Sequence, residues 1–149
     1  MLNPPGVMSS QENKRIMQRV MDALAKGDGR PFVEAMADDV TWTIAGQGAW
    51  SGTWRGKEAV RRDLFAPLFA QFDGLYTNRA LRIVADDDIV VVECRGKVRT
   101  KRGQDYNNSY CYVCRFEAGK LVELTEYMDT ALVERVLAPP PDTSRPGPA

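Results

Sequence analysis

The sequence predicts an α+β domain in which a strongly curved, mainly antiparallel sheet wraps over three N-terminal helices to form a cone with an internal pocket. Two observations carry that prediction. Helical apolar patterns sit in the first half of the chain, starting near residues 10, 31 and 57, whereas the second half is a run of strand patterns. The strands are joined by turns as short as Asp86-Asp87, Lys101-Arg102-Gly103 and Glu117-Ala118-Gly119, which makes sequential strands antiparallel neighbours. Helices segregated to one face of such a sheet bury both sets of apolar side chains.

Each element follows from local chemistry. Residues 1–9 hold Pro4, Pro5 and Gly6 and read as a flexible N-terminus. Ser9 and Glu12 have capping-box spacing. Ile16, Val20 and Leu24, flanked by Met17 and Met21, then form one helical stripe that stops at Gly27. Pro31 is a good first-turn residue for a short helix to about Met36. Val40, Trp42 and Ile44 alternate along a β-rich strand. Gly46, Gly48, Gly52 and Gly56 mark 45–56 as a loop that also carries Trp50 and Trp54. A third helix starts near Lys57 with Val60, Leu64 and Leu68 on one stripe, and Pro67 is expected to kink or shorten it. Strands are predicted at about 75–85, 88–99, 105–117 and 120–129, followed by a short helix capped by Asp129 or Thr130 and reaching Leu137. The Pro-rich segment 138–149 reads as a disordered tail, which leaves 10–137 as the folded domain.

Composition removes several function classes. A 149-residue chain with 44% hydrophobic and 27% charged residues has the size and balance of one self-sufficient globular domain. Its 20 basic and 20 acidic residues cancel, and the only basic tract, Arg99 to Arg102, fits a solvated hairpin tip, so no nucleic-acid partner is expected. The chain has no histidine, which excludes His-based triads, leaves few ligands for zinc and leads to an expectation of no metal. Cys111 and Cys114 have C-x-x-C spacing but fall inside a strand, on opposite faces, and read as apolar thiols. No apolar run is long enough to span a bilayer and no signal-peptide pattern is visible, so no membrane partner is expected and the cytoplasm is the default location.

The candidate site lies on the last strands. Val122, Leu124, Glu126 and Met128 share one side of a strand, and only Glu126 is polar there. A carboxyl on an apolar face must be paired, protonated or functional, because an isolated buried charge costs several kcal/mol or more. Glu93 and Arg95 share a side with Ile89 and Val91 and are expected to meet Glu126 inside the cone. Trp42 is expected to wall the pocket, with Phe65 and Phe69 beside it. Asn108, Tyr110 and Tyr112 alternate on one face, where tyrosine hydroxyls can hold a substrate oxygen.

Several segments carry a family resemblance in the right order: Ala25-Lys26-Gly27-Asp28, Met36 to Trp42, Trp54 to Val60, Gly103 to Asn107, and Gly119 to Asp129. Over about residues 10–137 the chain resembles the nuclear-transport-factor-2-like superfamily, which includes ketosteroid isomerase, limonene epoxide hydrolase and small polyketide cyclases. The resemblance implies the cone fold, an inward-facing third long strand, a homodimer through the outer face of the sheet, and no cofactor. The isomerase site is absent, since its tyrosine falls on Val20 and its general base near Ile44. The acid–arginine–acid set of the epoxide hydrolase falls on Glu93, Arg95 and Glu126, with Trp42 and Ile44 at its water-holding positions. The expected activity is cofactor-free acid–base chemistry (hydration, isomerisation or cyclisation) on a small lipophilic molecule. Glu126 would move the proton, Arg95 would polarise and Glu93 would be the second carboxylate. Pocket walls are Trp42, Ile44, Asn108, Tyr110, Tyr112, Met128, Phe65 and Phe69. The alternative is a non-catalytic binding module of the same fold.

Overall fold

Ser9 Oγ accepts the Glu12 amide at 3.1 Å and its hydroxyl donates to Glu12 Oε1 at 3.0 Å, so the expected cap starts helix α1 (Ser10–Leu24). This geometry comes from a computed structural model that describes residues 8–148; of the expected flexible start at 1–9, residues 1–7 lie outside the described residues. The buried stripe of α1 is Met17, Val20, Met21 and Leu24, and the chain turns away at Gly27, whose φ of +83° suits glycine. Helix α2 (Arg30–Ala35), with Pro31 in its first turn, runs straight into strand β1 (Met36–Ile44). That strand begins ahead of the expected Val40 because Met36 already pairs with Leu121.

The segment read as a loop contains a strand, β2 (Gly52–Arg55), antiparallel to β1 with Trp42 opposite Trp54 and Thr43 opposite Thr53. The third helix, α3, is a helical run over 57–69 with a distorted centre: an α turn at Lys57–Ala59, a π-helical stretch at Val60–Phe65 and an α turn at Ala66–Phe69. Pro67 has no amide to donate, and the Ala66 amide reaches back five residues to the Arg61 carbonyl, so the helix widens instead of breaking.

Strands β3 (Phe72–Asp86), β4 (Ile89–Thr100), β5 (Ser109–Glu117) and β6 (Lys120–Met128) follow as antiparallel neighbours. The six-stranded order is β2-β1-β6-β5-β4-β3, with β1 and β6 the one parallel pair, and the sheet is not closed into a barrel. Register shifts between Asp73 and Thr77 and between Ala80 and Arg82 bend the long β3, which gives the sheet its curl over the helices. Helix α4 (Thr130–Val136) is capped by Asp129, which accepts the Leu132 amide at 3.1 Å.

The concave face buries Trp42, Ile44, Val90, Val92, Cys94, Tyr110, Tyr112, Cys114 and Leu124 against α1, α2 and α3. On β4 the even-numbered positions from Val90 to Thr100 are buried, whereas Glu93, Arg95, Lys97 and Arg99 are exposed on the convex face. The segment 138–148, expected to be disordered, lies along β2: Thr53 and Gly147 exchange backbone hydrogen bonds of 2.9 and 2.8 Å. The buried indoles of Trp50 and Trp54 donate to the Ala138 and Ser144 carbonyls at 2.9 and 3.3 Å. These tryptophans therefore hold the tail against the domain. No helix among the described residues is long and apolar enough to cross a membrane.

Candidate functional site

Glu126 occupies the centre of the concave face because β6 lies between β1 and β5, opposite Ile44 on one side and Tyr112 on the other. Only 7% of it is accessible. Its partner is the indole of Trp42, whose Nε1–H donates to Glu126 Oε1 at 3.1 Å. Trp42 is fixed in turn by Phe65, edge-on at 5.3 Å between ring centroids, and by Phe32 at 5.4 Å. Burial pushes the Glu126 carboxyl up from 4.5 to about 8, and the Trp42 donor offsets only part of that rise. At neutral pH the group is mainly a protonated acid.

The carboxyl opens onto a cavity of about 600 Å³ between the sheet and α1, α2, α3 and α4. Its wall is mostly apolar and aromatic and includes Trp42, Ile44, Phe65, Phe69, Tyr110, Tyr112 and Met128, all of them predicted wall residues. Arg30, Glu34 and Arg61 also border it, but each is exposed, so Glu126 is the buried carboxyl on the wall among the described residues.

The expected ionic triad does not assemble. Glu93 and Arg95 project from the convex face, with Glu93 opposite Arg82 and Cys111 and Arg95 opposite Arg79 and Ser109. The sheet itself separates them from Glu126. Asn108 also leaves the expected list of wall residues. It is fully buried, but its Nδ2 donates to Tyr106 Oη and the Asp129 carbonyl at 3.2 Å each, and its Oδ1 accepts the Ser109 and Asp129 amides at 2.8 and 3.1 Å. Its side chain is satisfied within the protein, and the two bonds to Asp129 tie the start of β5 to the residue that follows β6.

Three polar residues on the wall, Tyr76, Asn78 and Tyr106, are not in the set expected from sequence. Asn78, on β3, is 1% accessible and donates through Nδ2 to the hydroxyls of Tyr76 at 3.1 Å and Tyr112 at 3.2 Å. Both amide protons are spent on tyrosine oxygens, which leaves the two O–H protons to be donated elsewhere. Burial raises the Tyr76 and Tyr112 hydroxyls well above the usual phenol range, so they remain donors. The signal was the spacing Tyr76-x-Asn78 on a strand whose alternate residues face inward. Tyr106, likewise missed, donates to Met128 Sδ at 3.8 Å.

Comparisons agree with this architecture. Residues 17–124 match the family model of a SnoaL-like domain. Comparison with the curated proteins gives no match. An NTF2-like protein from Burkholderia thailandensis E264 superposes with a TM-score of 0.74 at 25% identity, covering 89% of this chain and 100% of that one. The protein Bal32a from a soil-derived mobile gene cassette gives 0.75 at 20% identity over 87% of this chain and 98% of its own. An LEH-like epoxide hydrolase from M. tuberculosis gives 0.64 at 19% identity over 82% and 86%. These likenesses concern the fold. With the family model spanning most of the folded chain, this protein belongs to the SnoaL-like domain family of the NTF2-like superfamily.

Proposed function

We propose that this protein is a cofactor-independent acid–base enzyme acting on a small, largely apolar molecule held in the cone, with Glu126 as the proton donor. One observation carries the reading: a carboxyl held neutral by burial opens onto an aromatic cavity, bonded only by Trp42. Trp42 engages Oε1, so Oε2 is the oxygen that carries the transferable proton. A substrate oxygen receives that proton as its C–O bond opens or its carbonyl enolises. The carboxylate so formed recovers a proton from the attacking water or from the carbon that loses one. The hydroxyls of Tyr76 and Tyr112, oriented by Asn78, supply further donors to a developing oxyanion. Hydration, isomerisation and cyclisation all fit these roles. The likeness to an epoxide hydrolase favours hydration for the first assays. A panel of epoxides and enolisable ketones tests the reading. Turnover should fall by about 10²–10⁴-fold in Glu126→Gln. Full activity in that variant on a substrate turned over by the native protein removes Glu126 from the chemistry.

One observation favours a second reading. Glu93 and Arg95 lie outside the cone, so among the described residues Glu126 has no cationic partner and no second buried carboxyl to relay a proton. A non-catalytic module that sequesters a lipophilic ligand needs neither. Tight ligand binding, read by Trp42 fluorescence, with no turnover of any panel member would favour the module.

Self-association is part of the proposal. Val84, Val91 and Val113 lie in cross-strand register on the convex face, and Val84 on β3 and Tyr127 on β6, with two strands between them, are 49% and 51% accessible. Such a row supports a homodimer through this face. Tyr127→Asp should shift sedimentation toward the monomer; an unchanged monomer in the native chain ends that idea. The free thiols of Cys94, Cys111 and Cys114 support a reducing compartment, the cytoplasm.

A further inference from the structure

On the convex face, charges are matched across strands. Arg82 lies opposite Glu93 and Glu117 opposite Lys120. Arg115 lies opposite Glu123 and bonds it at 3.1 Å, and Arg99 reaches Asp105 at 3.4 Å. One place breaks the pattern. Arg79 lies directly opposite Arg95, and Lys97 follows on the same side of β4, opposite Thr77. Arg95 donates only to Ser109 Oγ, at 3.4 Å, and among the described residues none of these cations pairs with a carboxylate. Like charges directly opposite one another weaken an antiparallel pair, so the cluster carries a cost that a bound anion would relieve.

The three side chains also share a hollow. Arg79, Arg95 and Lys97 line a concavity of about 320 Å³ together with Thr77, Gly96 and Asn107. Asn107 Oδ1 accepts the Val98 amide at 3.1 Å, which leaves its NH₂ group as a further donor beside the cations. No carboxylate lines the hollow among the described residues. Ala25, at the C-terminal end of α1, also borders the hollow, which shares no lining residue with the Glu126 cavity.

We propose that this concavity binds a phosphate group. Two guanidinium forks match pairs of phosphate oxygens, and an ammonium adds a further point charge. A dianion suits three cations that line one hollow better than a carboxylate does. The shared chemistry is the phosphate itself, carried either by a soluble phosphorylated molecule or by a lipid headgroup.

The test is amide NMR and thermal melting of the full chain with inorganic phosphate, against chloride at matched ionic strength. Saturable shifts at Thr77, Arg79, Arg95, Gly96 and Lys97, with a rise in melting temperature, are expected. Arg79→Glu places opposite charges across the ladder. It should raise the melting temperature without phosphate and weaken phosphate binding at least about tenfold. Arg79→Gln, which adds no new attraction, should weaken binding as well. Sedimentation with phosphatidylcholine vesicles containing phosphatidic acid forms the second arm. Co-sedimentation that Arg79→Glu abolishes assigns the phosphate to lipid, and a response to inorganic phosphate alone assigns it to a soluble molecule. Shifts no larger than those of chloride, or undiminished in both variants, together with no vesicle binding, overturn the proposal. So does a phosphate-insensitive protein whose oligomeric state changes in Arg79→Glu, because the cluster would then serve a second copy of the chain.

Discussion

Trp42 and Glu126 stand 84 residues apart in the chain, yet the indole nitrogen lies 3.1 Å from the carboxyl oxygen. The parallel pairing of β1 with β6 makes this possible, because it sets Ile44 beside Glu126 and leaves Trp42 one inward position away. The bond satisfies one carboxyl oxygen and one buried N–H without introducing a charge. A cation in place of the indole would hold the carboxyl ionised; the indole leaves it protonated.

Stability should therefore fall as pH rises. The unfolded chain releases the Glu126 proton near 4.5 and the folded chain near 8, so between those values the unfolded state binds fewer protons and gains on the folded one. This group's contribution is fully present below 4.5 and is lost by about 8, at up to about 1.4 kcal/mol per pH unit. Glu126→Gln keeps an acceptor for Trp42 and has no proton to lose. Urea unfolding should show the variant near the native protein at pH 4.5 and more stable by a few kcal/mol at pH 8. Parallel pH profiles for the two proteins would mean the carboxyl is not held neutral.

Trp42→Phe keeps an aromatic ring against Phe32 and Phe65 but removes the N–H donor. Because that donor lowers the Glu126 value, its loss should move the carboxyl titration further upward. Carboxyl ¹³C NMR titration measures it directly, and a downward shift would contradict the assignment.

Asn78→Leu should leave the Tyr76 and Tyr112 hydroxyls without their shared donor, at a cost of about 1–3 kcal/mol in unfolding free energy. If those hydroxyls hold a substrate oxygen, kcat should fall more than KM rises. An equal loss of stability with unchanged kcat would make Asn78 a packing residue.

Glu93→Gln provides the control for the corrected site. Glu93 is exposed on the convex face, so the change should leave turnover unaltered and stability within about 0.5 kcal/mol. A large loss of activity would revive the relay that the sheet geometry rules out.

Deleting 139–149 should remove the Thr53–Gly147 backbone bonds and the Ser144 carbonyl that Trp54 uses. The expected result is a loss of about 2–4 kcal/mol and concentration-dependent association through the bare β2 edge. Sedimentation velocity over a range of concentrations would detect it.

The sequence shows the right face wherever one parity of a strand is distinctly apolar. Alternation places Trp42 and Ile44 on β1 and Glu126 on β6 inward, whereas the inward face of Tyr110 and Tyr112 on β5 follows from the family resemblance. On β4 the run Ile89 to Val92 is apolar on both parities and gives no face. The deciding cue lies further along, where Glu93, Arg95, Lys97 and Arg99 alternate with Cys94, Gly96, Val98 and Thr100: the ionic parity is the outer one. Strand β2 escaped because four residues starting at a glycine carry no readable period, and its pairing is set by Thr43 and by the returning tail. Asn78 lay on a strand that was recognised, but it was not read as facing inward.

A hollow whose buried carboxyl and tyrosine hydroxyls all keep their protons at neutral pH behaves as a droplet of oil without a fixed charge in its depth. Guests with a weakly acidic hydroxyl will shed no ion on entering, so a nitrophenol should lose its yellow phenolate colour when it binds. Its absorbance would then report occupancy before any natural substrate is known.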